Sequence, residues 1–122
     1  MMGKFEITLA DNWEKRNVPD GIQIISKTGE ILQIQVHANN FNEAEDKKLL
    51  EELAQKYNGS PIIQTEICGL KFYTTTYTAY GKEQSFYSAV KNGEQIKIQM
   101  CGKCYDTNAD IKAMVDSIVF NI

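Results

Sequence analysis

Hydrophobic and polar residues alternate from the start of the chain: Phe5, Ile7 and Leu9 stand between Lys4, Glu6 and Thr8. A period of two predicts a half-buried strand, because successive strand side chains point to opposite faces. Trp13 follows, and Val18-Pro19-Asp20-Gly21 reads as a turn. Residues 22–26 predict a second short strand. Thr28-Gly29 then reverses the chain into a third, where Leu32, Ile34 and Val36 face one way and Gln33, Gln35 and His37 the other.

The period then changes. Asn42 and Glu45 have the spacing of a capping box, with Glu43, Glu45 and Asp46 at the positive end of the helix dipole. Leu49, Leu50, Leu53, Ala54 and Tyr57 form the apolar stripe of that helix, and the acids at 43–52 read as its solvated face. Asn58-Gly59 ends it, glycine accepting the left-handed conformation that follows a helix. A last helix carries Ile111, Met114, Val115 and Ile118, with Thr107 and Asp110 at capping-box spacing.

Residues 62–101 predict three strands joined by tight turns at Gly81-Lys82 (type II′) and Asn92-Gly93 (type I′). Two-residue loops fix the register. Tyr77 then opposes Phe86 and Tyr73 opposes Val90; across the second turn Tyr87 opposes Ile98 and Ala89 opposes Ile96. One face carries Leu70, Phe72, Ala89, Ile96, Ile98 and Met100, an evident core. The other mixes Tyr73, Tyr77, Phe86 and Val90 with Ser88, Lys97, Gln99 and Cys101.

The expected architecture is therefore α+β: an antiparallel sheet of about six strands packed with helices, in the order βββα-βββα. A chain of 122 residues with 43% hydrophobic content fits one domain spanning residues 1–122. Thirteen basic and sixteen acidic residues give a net charge of −3, with no basic run to serve nucleic acid or an anionic membrane. No apolar run approaches the ~20 residues that span a bilayer. An odd number of cysteines, three, does not make a disulfide framework and favours a reducing, cytoplasmic compartment unless an export signal precedes the chain.

Chemistry concentrates in Met100-Cys101-Gly102-Lys103-Cys104, a CxxC spacing that suits a redox dithiol or half a zinc site. Zinc ligands must converge on one ion at ~2.3 Å, whereas the expected register sets Cys68 about 20 Å along the sheet from Cys101 and on the opposite face. No metal is expected. A redox pair gains its low pKa by opening a helix, and Cys101 instead ends a strand, so two ordinary thiols or an incidental disulfide are expected at Cys101 and Cys104. Cys68 reads as a small buried hydrophobe. His37, the only histidine, has no orienting carboxylate or nucleophile implied by spacing. Tyr73, Tyr77 and Phe86 form an aromatic cluster that either meets a ligand or partner or lies beneath a helix.

The opening Phe5-x-Ile7-x-Leu9, followed by Trp13 and a turn, resembles the start of PsbP-like proteins, of the superfamily that includes the Ran-binding nuclear-import factor and bacterial envelope lipoproteins. Ala10 stands where that pattern has proline. The element order and the ending Asp116-Ser117-Ile118-Val119-Phe120 after a final helix are also similar. The resemblance covers nearly the whole chain as architecture and about a dozen residues as motif. It implies a binding or assembly role with a protein or small-molecule partner, no cofactor, and Trp13 as a cap on the sheet; no functional residue carries over. The rival readings are a thiol-redox protein using Cys101 and Cys104 and a structural homo-oligomer paired through a sheet edge.

Overall fold

The computed structural model describes residues 4–102, 105 and 107–122. In chain order the elements are β1 (Phe5–Glu6), β2 (Glu14–Val18), β3 (Gly21–Ile25), β4 (Ile31–His37), α1 (Glu43–Tyr57), β5 (Ile63–Ile67), β6 (Leu70–Ala79), β7 (Lys82–Lys91), β8 (Glu94–Cys101), α2 (Ala109–Asp116) and β9 (Val119–Phe120). The expected α+β class holds. Seven strands form one sheet in the order β2-β3-β4-β8-β7-β6-β5, and β1 pairs with β9 beside it. Every pairing is antiparallel.

Each half of the sheet is a meander closed by short turns. Cys68-Gly69, Tyr80-Gly81 and Asn92-Gly93 all have positive φ at both positions, from 51° to 83°. That is the type I′ geometry whose twist matches the flanking strands. The expected Gly81-Lys82 turn therefore begins one residue earlier, at Tyr80-Gly81. Tyr77 faces Gln84, Tyr73 faces Ser88 and Thr75 faces Phe86, two positions from the expected pairs. A shift of two preserves the faces, so the core survives the correction. The Asn92-Gly93 hairpin has the expected register, Tyr87 on Ile98 and Ala89 on Ile96. The stretch expected as one strand before Tyr80 is two, split at Cys68.

The α1 capping box is present in full: the Asn42 side chain accepts from Glu45 N at 2.8 Å and Glu45 Oε1 accepts from Asn42 N at 3.2 Å. The left-handed C-cap is Asn58 (φ 52°), not Gly59. At α2 the cap is Asn108 in place of Thr107; its Oδ1 accepts from Asp110 N and Ile111 N. Ile111, Met114, Val115 and Ile118 of this C-terminal segment pack on Leu32, Ile34, Val36, Ile96, Ile98 and Met100 of the sheet, all of them buried. Burying one such side chain is worth about 1.5–3 kcal/mol.

Trp13 closes one end of this core, and its Nε1 donates to Asp110 Oδ2 at 3.1 Å. The first strand is shorter than the alternation from Phe5 to Leu9 implies: pairing stops at Glu6, and residues 7–13 lead to β2 without helix or strand. Ser117 Oγ accepts from Thr8 N at 2.9 Å and Lys4 O from Asn121 N at 2.7 Å, tying this segment to the C-terminal strand.

Gly21 begins β3 where backbone meets backbone. A Cβ there would stand 1.9 Å from Ile34 O and 2.8 Å from Gln35 Cα, and neither can step aside. Gly21→Ala is expected to cost about 3 kcal/mol or more. Urea unfolding checks this; an unchanged midpoint would refute the contact.

Candidate functional site

The face of the sheet away from α2 is divided. Helix α1 packs on β6 and β7 and takes up the aromatic cluster. Tyr77 stacks on Tyr57 with ring centroids 4.8 Å apart, Tyr73 donates its hydroxyl to Glu43 Oε1 at 2.8 Å, and Phe86 is buried. The Glu43 carboxylate stabilises the protonated phenol, so the Tyr73 pKa is raised; burial raises that of Tyr77. All three rings thus contact or neighbour a helix, leaving only the partly exposed edges of Tyr73 and Tyr77 toward solvent.

Beneath the first turn of α1 lies a polar cluster. Asp46 is 1% exposed, which corrects the reading of residues 43–52 as a wholly solvated face. Its Oδ1 accepts from Ser88 Oγ at 2.5 Å and Gln95 Nε2 at 3.0 Å, and both donors are themselves buried. The Oδ2 is shielded with no hydrogen-bond partner among the described residues. Asn39 Nδ2 completes the group on Gln95 Oε1 at 2.8 Å. Continuing the apolar stripe Leu50, Leu53 and Tyr57 one turn backwards reaches Asp46, the sequence signal that marked it as inward-facing.

Beyond α1 the same face becomes a glutamine lattice. Gln33 Nε2 donates to Gln35 Oε1 at 3.0 Å and Gln99 Oε1 at 3.1 Å, and Gln23 Nε2 donates to Gln33 Oε1 at 2.9 Å. Lys97 lies half-buried in this surface; desolvation lowers its pKa, partly countered by Asp20. His37 Nδ1 contacts Asp20 Oδ2 at 2.8 Å, and Gln95 is its cross-strand neighbour.

Cys68 and Cys101 lie apart, in different parts of the fold. Cys101 ends β8, half-buried between Ile31 of β4 and Gln84 of β7; Cys104 lies outside the described residues. Cys68, expected in the core, is exposed because it sits in the β5–β6 turn. Its thiol nevertheless tucks against the end of α2, with Sγ 3.2 Å from Val115 O. That burial of the sulfur, with the Asp116 charge second, raises the thiol pKa.

On the α2 side, the segment before β2 and the strands β2 to β4 enclose a groove of about 1050 Å³. Ile7, Leu9, Ile22 and Val36 supply its apolar surface; Lys4, Glu6, Lys15 and Glu94 charge its rim. Lys4 Nζ pairs with Glu94 Oε1 at 2.6 Å across one end. Its volume is at the upper end of the range for small-molecule sites. Sequence reasoning missed it, because its walls come from four segments distant along the chain.

Two outcomes follow from these contacts. Asp46→Ala strands two buried donors and is expected to cost about 3 kcal/mol, with Asp46→Asn losing less since it retains an acceptor; chemical unfolding of the two variants tests this. Cys68 should react with iodoacetamide more slowly at neutral pH than an unstructured cysteine does. Its rate should keep rising at pH values where that of the free thiol has levelled, because only the thiolate attacks. Peptide-resolved alkylation kinetics across pH would expose a Cys68 as reactive as the free thiol, contrary to this contact.

No family model matches the chain, and no curated protein matches it. Solved structures do. LpqN, involved in cell envelope biogenesis of Mycobacterium tuberculosis, superposes with a TM-score of 0.60 at 9% identity over 94% of this chain and 82% of its own. The cyanobacterial PsbP (CyanoP) from Synechocystis sp. PCC 6803 gives 0.59 at 9% identity over 98% and 94%. A protein from Bacteroides thetaiotaomicron VPI-5482 gives 0.59 at 6% identity over 96% of this chain, which spans 45% of that one. At these identities the likeness is one of architecture. This chain has the PsbP-like fold.

Proposed function

We propose that residues 1–122 act as one PsbP-like domain, a non-enzymatic binding or assembly module whose binding surface is the groove between the N-terminal segment and β2–β4. The observation that carries this reading is the groove itself: apolar floor, charged rim, and room for a ligand or the side chains of a partner. Leu9 remains 37% exposed there, a large apolar group held at the surface. The fold is shared with a protein of envelope biogenesis and a cyanobacterial PsbP, which supports a role in association.

Amide-resolved NMR with a library of small apolar and amphipathic fragments tests the site. Shifts are expected at residues 5–9, 15–22 and 36–38. Leu9→Asp should weaken fragment binding about tenfold, the ~1.4 kcal/mol carried by a fraction of one apolar side chain, with little change in thermal midpoint. Cys101→Ser with Cys104→Ser should leave it unchanged. Fragment shifts gathered instead around Tyr73 and Tyr77 would overturn the assignment.

A further inference from the structure

The groove runs beside a strand whose other side is free. β2 is the terminal strand of the seven-stranded sheet and, among the described residues, pairs only with β3. An antiparallel ladder turns the backbone groups of alternate residues outward. The outer edge of β2 therefore offers N–H and C=O groups that have no backbone partner among the described residues, along the wall of the groove. Lys15 and Asn17 stand on that wall, on the same side of the sheet as Ile22.

We propose that this edge receives an extended peptide, which adds to β2 as an eighth strand and lowers alternate apolar side chains into the groove. The inference rests on the groove being the binding surface, and it specifies the class of occupant. Strand addition fits both halves of the site: main-chain hydrogen bonds supply affinity, and a pocket for every second side chain supplies selection. A compact ligand fits the groove but leaves the edge unused.

Charge narrows the partner. Lys15 and Arg16 are exposed, and neither forms an ion pair among the described residues. Arg16 lies on the face opposite the groove, so the residue that a guest strand places across from it is solvent-accessible and favoured as Asp or Glu. The stem of Lys15 covers apolar guest side chains while its ammonium stays in water. In the register that sets Arg16 against Arg16, the same charge that selects an acidic guest repels an identical edge from a second copy.

The probe is acetyl-Thr-Phe-Glu-Phe-Thr-amide, titrated into the whole chain to ~1 mM, where even a weak site with a Kd near that value is half filled. Amides of Glu14–Val18 and of residues 5–9 should shift, and outward-facing β2 amides should gain protection from hydrogen exchange. Replacing the probe's glutamate by lysine should weaken binding about threefold or more. Arg16→Glu, at an exposed position, should reverse that preference while leaving the fold intact. A probe N-methylated on its two phenylalanine amides keeps the side chains and removes the donors that face β2, and should not bind. If the N-methylated probe binds as well as its parent, or if fragments fill the groove while neither peptide shifts β2, strand addition is wrong and the groove reading stands. Shifts at Glu14–Val18 that depend on protein concentration without peptide mean that a second copy takes the edge, which also overturns the proposal. If neither fragments nor peptides perturb the groove, both readings fall together.

Discussion

The pairing of β4 with β8 is the constraint on which the rest depends. Each meander is closed by its own turns, but only this seam, from Ile31 on Cys101 to His37 on Gln95, makes them one sheet. Its register sets Leu32 beside Met100, Ile34 beside Ile98 and Val36 beside Ile96, all on the face that receives α2. Six such side chains bury on the order of 10 kcal/mol of apolar contact, comparable with the net stability of a whole domain. A slip of β4 by one residue would turn its apolar row outward and bring Gln33 and Gln35 into the core. The alternation along both strands forbids it.

With the seam in place, the two faces meet different cover. Helix α2 is short, eight residues, and its apolar stripe serves the centre of the core. The edge toward β2 is left to an irregular segment pinned by Trp13, by Thr8 on Ser117 and by the β1–β9 pair. The groove exists because a strap, rather than a helix, roofs this part of the sheet. On the opposite face α1 is longer but lies over β6 and β7, and Asp46 joins it to β8 through Gln95. A buried carboxyl is costly to desolvate, and two hydrogen bonds from buried donors offset part of that cost while fixing where the helix sits.

Most of the fold was legible because its signals are local. Asn42 with Glu45 and Asn92 with Gly93 behave as their short-range chemistry dictates. The failures are local too. Tyrosine and cysteine are poor turn residues by propensity, yet Tyr80 and Cys68 take positive φ because the glycine after each supplies the second left-handed position and the strand twist demands the first. β2 escaped notice because Glu14, Lys15 and Arg16 present no apolar face, as suits an edge strand open to water. The candidate site was less legible than the fold. Tyr73, Tyr77 and Phe86 were visible as a cluster, but whether α1 covers them depends on where the helix crosses the sheet. The groove depends on Leu9, Lys15, Val36 and Glu94 meeting, a property of tertiary closure that no window of sequence contains.

The seam also orders events in time. Within each meander the paired residues are close in sequence, so their loops close at little entropic expense. β4 and β8 must find one another across α1 and three further strands, and β1 must find β9 across almost the whole chain. Contacts of such high contact order form late, after local hairpins have restricted the search. The roof of the groove is attached by these last contacts. By this ordering the two meanders close before the seam and before the segment that roofs the groove, and local opening of the β1–β9 closure loosens that roof while leaving both meanders zipped.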